Sequence, residues 1–411
     1  MRPVVLVTSF LIPHVGGSSG HFELLERELR RRGLLAGTMT GSMASPRLVT
    51  RAAAVLGRGA GWEWPRAKLL LRTVQQLARL VTKAGPASET LFHCHDPLAS
   101  CAVLEVLRPG DVVVQTVHGP LSREVVDGGY RSGGAVARTL NALERRAFGR
   151  VDMLLPVDGG QAAILRDEFD VSSDRLRIIR NAVDVDEIVR LSGGEVRTAS
   201  RKDTFVVPRR LVRKNGVEFA IRALAHEEAA AFNLVIAGNG PELKGLKRVA
   251  RSSGVTGRVR FLGLVDHDRL LPMMKAACGV IVPSVPSGGV VEATSLAVLE
   301  AMAGGVPVIG SDIGGIAEII SSPDLGFLVR PGEPEAIARA MKAIHDLDEK
   351  ARTGRIERAR EHVRKEFGVA RWMTAILGAY EAAQDGNGMS VGVRREFTRS
   401  VQGQRVPDSP L

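Results

Sequence analysis

The sequence predicts two doubly wound α/β domains, and three observations lead to this prediction. Short apolar runs alternate with amphipathic helical patterns in both halves of the chain. The runs are apolar at successive positions, which is typical of strands buried on both faces of a parallel sheet. The length of 411 residues exceeds what one core usually holds. Such sheets bind their ligands beyond the carboxyl ends of the strands.

The first half of the chain contains four predicted strands. The first strand, residues 4–7, precedes an amphipathic helix over residues 21–32. The other three strands are predicted at residues 91–94, 112–114 and 153–155. The apolar start of the chain also resembles a short signal peptide, but no small-residue cleavage site follows it. A buried strand that ends in a glycine loop is therefore the better interpretation.

The second half repeats the pattern with five predicted strands. They lie at residues 205–207, 234–236, 259–261, 280–282 and 306–309. A Ser-Gly-Gly segment and mixed polar residues interrupt the pattern between residues 191 and 203. We therefore place the first domain at residues 1–195 and the second at 196–365. Residues 385–411 are rich in Gly, Ser, Gln and Pro, and we predict a disordered tail.

The composition is that of an ordinary soluble globular protein, with 45% hydrophobic and 25% charged residues. The cysteines, Cys94, Cys101 and Cys278, are odd in number and unevenly spread. This argues against a disulfide framework and for a reducing compartment. No apolar run reaches the length of a membrane span. We therefore expect a cytoplasmic protein.

The net charge of +11 suits three kinds of partner: a nucleic acid, an anionic membrane or a phosphorylated ligand. Aromatic residues make up only 4% of the chain and no nucleic-acid module is recognisable, so we expect no nucleic-acid partner. Leucines and valines between residues 64 and 83 can share one helical face with basic residues beside it, as in an interfacial helix. A core helix whose arginines face water is the alternative, so peripheral contact with the inner face of an anionic membrane stays open. The basic residues of this region are Arg47, Arg51, Arg58, Arg66, Lys68, Arg72, Arg79 and Lys83.

Two carboxylates flank a predicted helix start in the second domain. Glu292 and Glu300 are eight positions apart, and one continuous helix would leave their side chains about 80° apart. Thr294 or Ser295 can cap a helix, and residues 296–303 are helical in pattern before a glycine pair ends them. We therefore predict that Glu292 lies in the loop and Glu300 on the helix.

The start of this helix predicts an anion site between the two carboxylates. The free backbone N–H groups at Thr294, Ser295 and Leu296 would point at whatever lies there. The carboxylates of Glu292 and Glu300 can accept hydrogen bonds from hydroxyl groups. A ligand that is both an anion and a polyol is a nucleotide sugar.

This arrangement resembles the Glu-x7-Glu signature of the retaining glycosyltransferases of family 4, which have the GT-B fold. The resemblance covers about residues 3–384. The motifs of the second half match the family specifically, whereas the first half matches only in short segments. The last helix of that family crosses back to the first domain, and residues 366–384 with Trp372 and Tyr380 resemble it. The other similar segments are the cationic segment 209–216, the Gly-x-Gly-Pro turn within 234–242, the glycine-rich loop 13–17 and the segment 116–119.

The resemblance implies transfer of a sugar from a nucleotide-diphosphate donor, most often a UDP sugar, to a hydroxyl acceptor in the cleft between an acceptor-side domain and a donor-binding domain. The anomeric configuration would be kept. His118 would contact the donor sugar, and Glu292 would bind its hydroxyl groups. Arg210 and Lys214 would stabilise the charge that develops on the diphosphate.

Donor binding in the family implies further residues in this chain. Glu300 would hold the ribose, and Gly16, Gly17, Gly238 and Gly240 would let the backbone approach the donor closely. The remaining donor-binding positions are Thr294, Ser295 and Leu296. Directly after Glu292, residues 293–295 are Ala-Thr-Ser where the family commonly has Gly-Phe-Gly. Asn215 separates the lysine from the glycine, so the choice between Arg209 and Arg210 stays open.

Plainer interpretations exist for each of these residues. The cations could form a solvated loop, Glu300 could be a surface residue of its helix, and His118 could be a satisfied loop histidine. His93 and His95 share one face of a strand, but no third metal ligand of suitable spacing is recognisable. A structural role is the better interpretation for them, with His95 and Asp96 beside the acceptor as the alternative.

No cofactor and no metal are expected. The chain lacks a Walker-type lysine loop, a Gly-x-Gly-x-x-Gly fingerprint after a strand and an evident Asp-x-Asp motif. The expected partners are a UDP sugar or another nucleotide sugar and a hydroxyl acceptor of unknown class. Two other functions stay open on the same fold: a nucleotide-sugar hydrolase or epimerase, and a non-catalytic nucleotide-sugar-binding protein.

Overall fold

The computed structural model describes residues 1–10, 17–44, 63–86, 89–193 and 201–386. These residues form two parallel sheets flanked by helices, which confirms the predicted fold class. Gly16, three of the basic residues of the predicted interfacial region (Arg47, Arg51 and Arg58), and the predicted tail from residue 387 onward lie outside the described residues.

The first sheet has five parallel strands in the order β2-β1-β3-β4-β5. Its strands are β1 (Val4–Thr8), β2 (Leu35–Thr40), β3 (Leu91–Cys94), β4 (Val112–Val117) and β5 (Met153–Pro156). The helices around it are α1 (Gly17–Arg31), α2 (Gly41–Ala44), α3 (Glu63–Ala84), α4 (Pro97–Val106), α5 (Leu121–Asp127), α6 (Ala135–Arg150) and α7 (Gly159–Phe169). We call this unit the first domain. The next helix along the chain, α8 (Val185–Leu191), packs with Val185 and Ile188 in an apolar cluster of the second sheet.

The second sheet has six parallel strands in the order β11-β10-β9-β6-β7-β8. Its strands are β6 (Arg201–Val207), β7 (Asn233–Ala237), β8 (Val259–Gly263), β9 (Ala277–Val282), β10 (Val308–Ser311) and β11 (Phe327–Val329). Its helices are α9 (Val217–Ala223), α10 (Leu243–Ser252), α11 (His267–Lys275), α12 (Leu296–Gly304), α13 (Gly314–Ile319), α14 (Pro334–His345) and α15 (Glu349–Phe367). We call this unit the second domain.

Each sheet is covered on both faces because its strands alternate their side chains between two apolar clusters. In β1, Val5 and Val7 join the cluster beneath α3, α4 and α6, whereas Val4 and Leu6 join a cluster with α1. The second sheet divides its strand residues in the same way. Burial on both faces explains why these strands have uninterrupted apolar sequences.

The last helix, α16 (Val369–Gln384), packs against the first domain although it follows the second along the chain. Trp372, Ile376 and Tyr380 lie in the apolar cluster that contains Val4 and Leu6. The Tyr380 hydroxyl also lies 2.7 Å from Nδ1 of His93 on β3. The C-terminal helix therefore ties the two domains together. The domain limits at residues 195 and 365 remain a prediction from the sequence.

The structure differs from the sequence predictions in two missed strands and in the ends of several elements. The strands β2 and β11 were not predicted, because each lies at the edge of its sheet and its partly exposed residues do not form a continuous apolar run. The strand β10 begins two residues later than predicted because Pro307 has no N–H for the ladder, although its carbonyl accepts from Val280 N at 2.9 Å. The helix α1 begins at Gly17, four residues earlier than predicted.

The order of the strands in each sheet determines which loops lie next to each other at the carboxyl edge of the sheet. The order reverses between β1 and β3 in the first sheet and between β6 and β9 in the second. A crevice forms at such a point because the loops after the two strands leave in opposite directions. The loops after β6 and β9 carry the predicted cations and Glu292, so the topology brings them to one edge.

None of the described helices combines the length and the apolar character needed to cross a lipid bilayer. All three cysteines are free and buried, in line with the expected absence of a disulfide framework.

Candidate active site

Arg209 and Glu292 form a largely buried ion pair at the crevice of the second sheet. Arg209 Nη2 lies 2.8 Å from Glu292 Oε2, and the two side chains are 10% and 12% exposed. Burial by itself raises the pKa of Glu292, but Arg209 and then Lys214 lower it, so the pKa lies below its usual value. Glu292 is therefore a carboxylate at neutral pH.

The guanidinium of Arg209 is held by several side chains. Its Nη2 donates to Ser284 Oγ at 2.9 Å and to Asn215 Oδ1, and its Nη1 lies 3.5 Å from Ser295 Oγ. The Nε–H of Arg209 is buried and has no partner among the described residues. Buried donors are normally paired, so this N–H lacks the acceptor that such a donor usually has.

Arg210 points elsewhere. Its side chain is exposed, and its carbonyl accepts a 2.7 Å hydrogen bond from Asn215 Nδ2. Asn215 thus forms hydrogen bonds with the side chain of Arg209 and with the backbone of Arg210. These two contacts hold the side chain of Arg209, and not that of Arg210, toward Glu292. The sequence favoured Arg210 with Arg209 as the alternative, whereas the structure leaves Arg210 exposed and places Arg209 in the crevice.

The predicted donor-binding glycines hold this segment by close backbone packing. A Cβ on Gly238 would come within 1.9 Å of the Arg209 carbonyl oxygen, and a Cβ on Gly240 within 2.3 Å of the Leu211 carbonyl oxygen. Any larger residue would displace the backbone that carries Arg209. Gly238 and Gly240 therefore position the guanidinium of Arg209. The sequence had predicted that they contact the donor directly.

The helix α12 begins where it was predicted, with Ser295 at the N-cap and Gly305 in the left-handed conformation at the C-cap. No side chain caps its N-terminus among the described residues, because the Ser295 hydroxyl faces Arg209 and the Thr294 hydroxyl donates to the Val157 carbonyl of the first domain. The first N–H of α12 with a backbone acceptor is that of Leu299, which donates to the Ser295 carbonyl at 3.2 Å, so the N–H groups of Leu296, Ala297 and Val298 have no acceptor among the described residues.

Glu300 lies on α12 as predicted, with its side chain 18% exposed. His267 Nε2 is 3.1 Å from Glu300 Oε1, and this contact raises the pKa of His267. No sequence pattern indicated this partner, because His267 lies on a different helix. The two carboxylates of the signature therefore have separate basic neighbours, Arg209 for Glu292 and His267 for Glu300.

His118 and Lys214 line one cavity between the two domains. The first domain contributes His118, Glu124 and Gln161 to its wall, and the second contributes Lys214 and Ala293. Lys214 Nζ lies 3.3 Å from Glu124 Oε1. Burial lowers the pKa of His118 to about 4 against an opposing effect of Glu124, so the imidazole is neutral at pH 7.

Glu124 and Gln161 were not recognised from the sequence. Their partners are distant along the chain, and nothing near them forms a motif. The Gln161 Oε1 atom is buried without a partner among the described residues, at the edge of the same cavity. It adds a hydrogen-bond acceptor to the wall of the first domain.

The remaining predicted positions are not among the residues that line this cavity. Gly17 is the first residue of α1. Asp96 has a structural role: its oxygens accept from Ser9 N at 2.7 Å and from Ala99 N at 2.9 Å, which caps α4. Both ring nitrogens of His93 have hydrogen-bond partners, the Tyr380 hydroxyl and Thr116 Oγ1 at 2.8 Å. This agrees with the structural role predicted for His93.

Two family models match consecutive parts of the chain. Residues 15–187 match the family model described as Glycosyltransferase Family 4, and residues 194–362 match the model described as Glycosyl transferases group 1. Glycogen synthase from Mycobacterium tuberculosis is 27% identical over 331 residues, 79% of this chain and 76% of the relative.

Two further similarities extend over most of the chain. The 2-deoxystreptamine glucosyltransferase of Streptomyces kanamyceticus is 24% identical over 362 residues, 82% of this chain and 86% of the relative. The crystal structure of Anabaena HepE in complex with UDP-glucose aligns with a TM-score of 0.64 at 17% identity and covers 92% of this chain and 99% of HepE. At that identity the structural match shows the fold.

Proposed function

The chain belongs to the glycosyltransferases of family 4, with the GT-B fold, and we propose that it moves a sugar from a UDP sugar to a hydroxyl acceptor with retention of the anomeric configuration. The HepE crystals contain UDP-glucose, and the S. kanamyceticus relative is a glucosyltransferase by name. Both support a hexose as the transferred sugar, and the HepE complex supports a uridine nucleotide as its carrier.

The observation that carries this proposal is the buried Arg209 beside Glu292 and Lys214. A guanidinium with a buried, unpartnered Nε–H is a donor held ready for an anion. It lies at the crevice of a parallel sheet, next to the uncapped start of α12, which favours negative charge. A diphosphate satisfies both groups.

Catalysis then follows from where charge develops. When the glycosidic bond of the donor breaks, negative charge grows on the leaving diphosphate and the sugar gains oxocarbenium character. Arg209 and Lys214 stabilise the diphosphate, while the carboxylate of Glu292 binds hydroxyls of the sugar attached to it. Arg209 replaces Arg210 in this proposal because only Arg209 faces the crevice. The cations and the start of α12 serve the diphosphate without a metal or another cofactor.

Lys214 must change partner when the donor binds. It now pairs with Glu124 of the first domain, an interaction between partly exposed side chains that contributes little stability. A diphosphate carries more negative charge and competes with Glu124 for the ammonium group. Glu124 is then free beside His118, where the acceptor hydroxyl has to approach the sugar. We place the acceptor in this part of the cleft.

The test is a donor panel. The protein is incubated with UDP-, GDP- and TDP-sugars, and release of the nucleotide is followed with and without candidate hydroxyl acceptors. We expect release from a UDP sugar that rises at least about tenfold when a suitable acceptor is present, since the acceptor takes part in the rate-limiting transition state. Equal release with every acceptor and with none would identify a hydrolase, and no release despite UDP binding would identify a binding protein.

A cytoplasmic location with peripheral contact to an anionic membrane is part of the proposal, and the exposed face of α3 is the surface that we propose for this contact. The main apolar face of α3 is buried in the core, with Leu70, Val74 and Leu77 all at most 3% exposed. The core-helix interpretation therefore holds for these residues. The opposite face exposes Trp64 and Leu71, at 64% and 45%, among basic residues. The exposed basic residues of α3 are Lys68, Arg72, Arg79 and Lys83.

Co-sedimentation with phosphatidylglycerol vesicles tests this contact. We expect binding at low salt that high salt weakens, because each basic residue near an anionic surface contributes about 1 kcal/mol. The double variant Lys68→Glu/Arg72→Glu should lose at least about tenfold in affinity by the same measure. Arg251→Glu on α10 of the second domain is the matched control and should bind nearly like the wild type. Equal, negligible binding to anionic and neutral vesicles would remove the membrane from the proposal.

A further inference from the structure

Three histidines from separate elements of the first domain meet beside the interdomain cavity. His21 comes from α1, His95 follows β3 and His118 follows β4. One ring nitrogen of each lies within 4.8 Å of the others, and the ring centroids are 5.0 Å apart for His21 and His118 and 5.3 Å apart for His21 and His95. Sequence spacing did not indicate this cluster, because His21 is distant from the other two.

Four of the six ring nitrogens of this three-histidine cluster are buried and lack partners among the described residues. They are Nε2 of His21, Nε2 of His118 and both nitrogens of His95. His21 and His95 are only 2% and 4% exposed. Their neighbour His93 is the contrast, since both of its nitrogens have hydroxyl partners within 2.8 Å. Buried imidazoles that leave several nitrogens unpaired point to a missing ligand.

The orientation of His21 is fixed by Asn181. Asn181 Nδ2 donates to the Thr294 carbonyl at 3.2 Å, which directs its Oδ1 toward His21. That oxygen lies 2.8 Å from His21 Nδ1 and can only accept, so Nδ1 carries the hydrogen. The lone pair of His21 Nε2 therefore faces His95 and His118. A histidine whose other nitrogen donates to an oxygen is the usual arrangement around a protein-bound metal.

We propose that His21, His95 and His118 bind one divalent transition-metal ion of the zinc class. Three imidazoles and no carboxylate favour Zn²⁺, Co²⁺, Ni²⁺ or Cu²⁺ over Mg²⁺, Ca²⁺ and Mn²⁺, which prefer oxygen ligands. Metal–nitrogen bonds of about 2.0–2.1 Å require the nitrogens to move about 1–1.5 Å closer together, which side-chain rotation supplies. The fourth coordination position faces the cavity that His118 lines.

Occupation of this site has a consequence for the proposed reaction. A metal bound to His118 withdraws that imidazole from the donor sugar, so the ion inhibits transfer. This consequence rests on the proposed function, whereas the binding of the metal does not. Zinc would then act as a negative regulator of an enzyme whose chemistry uses no metal of its own.

The test uses full-length protein without an affinity tag. Equilibrium dialysis against Zn²⁺ with elemental analysis should give one tightly bound ion per chain, and Co²⁺ should give the visible absorption of a low-coordinate nitrogen site. His21→Gln and His95→Gln should each weaken binding at least about tenfold, because each loses one of three ligands. His345→Gln, an exposed histidine on α14, is the control and should bind zinc like the wild type.

Thermal melting of the His21→Gln and His95→Gln variants shows whether each is folded. One folded variant is enough to test whether the histidine that it lacks contributes to zinc binding. Zinc inhibition of nucleotide release should disappear in the same variants. Absence of a stoichiometric zinc ion, or binding that neither variant weakens, would overturn the proposal and leave water as the partner of these nitrogens. Zinc binding without any glycosyl transfer would leave the metal site standing and contradict the proposed function alone.

Discussion

Replacing Arg209 with alanine is expected to lower kcat by about 10²–10³-fold, because the variant loses a charge that stabilises the leaving diphosphate in the transition state. UDP affinity should fall by about tenfold or more, as for the loss of a charge-assisted hydrogen bond. The measurements are steady-state kinetics with the active UDP sugar and calorimetric titration with UDP. The reason lies in the inward position of Arg209, whose Nη2 contacts Glu292 at 2.8 Å.

Arg210→Ala is the matched control. It removes the same charge one position further along the chain, but from an exposed side chain. We expect its kcat to stay within about twofold of the wild type, since exposed substitutions rarely change a free energy by more than about 0.5 kcal/mol. A large loss in Arg210→Ala with little change in Arg209→Ala would restore the assignment that the sequence favoured and contradict the one made from the structure.

Stability gives a second readout for Arg209. Its removal leaves the carboxylate of Glu292 largely buried without its cation, which costs on the order of 3 kcal/mol of unfolding free energy. The wild-type pair stabilises the fold above the unfolded pKa of about 4.3 and loses this contribution as the pH falls through the lower folded pKa. The double variant Arg209→Ala/Glu292→Gln should regain stability without regaining activity.

The sequence predicted the features that depend on neighbouring residues. The loop position of Glu292, the start of α12 at Leu296 and its end at the glycine pair follow from local capping and turn preferences. The buried strands follow from runs such as Val4–Thr8, which are apolar because both faces of the sheet are covered. These signals are contained in a few consecutive residues.

Features assembled from distant segments could not be predicted in this way. The choice of Arg209 over Arg210 depends on Asn215 and on the close packing of Gly238 and Gly240, which only the folded chain brings together. The pairing of Lys214 with Glu124 crosses 90 positions of sequence and two domains. Long-range contacts of this kind leave no periodic or local pattern.

The two signature carboxylates should separate in their effects on donor binding. Glu300→Gln should weaken the binding of UDP alone by about tenfold, because it loses a charged acceptor for the ribose hydroxyls, which are part of UDP. Glu292→Gln should leave UDP affinity unchanged, since its partner is the transferred sugar, while kcat falls by about 10²-fold. Calorimetry with UDP and turnover of the UDP sugar measure the two effects independently.

His267→Gln is the control for Glu300, because its imidazole contacts Glu300 Oε1 at 3.1 Å and is exposed by about half. If Glu300 acts on the ribose directly, removal of His267 should free a carboxylate oxygen and leave UDP affinity equal or higher. A loss in His267→Gln as large as in Glu300→Gln would mean that the pair supports the fold of α11 and α12 and does not bind the ribose. Equal losses of UDP affinity in both glutamate variants would place the two carboxylates on the same part of the donor, against their positions in the loop and on the helix.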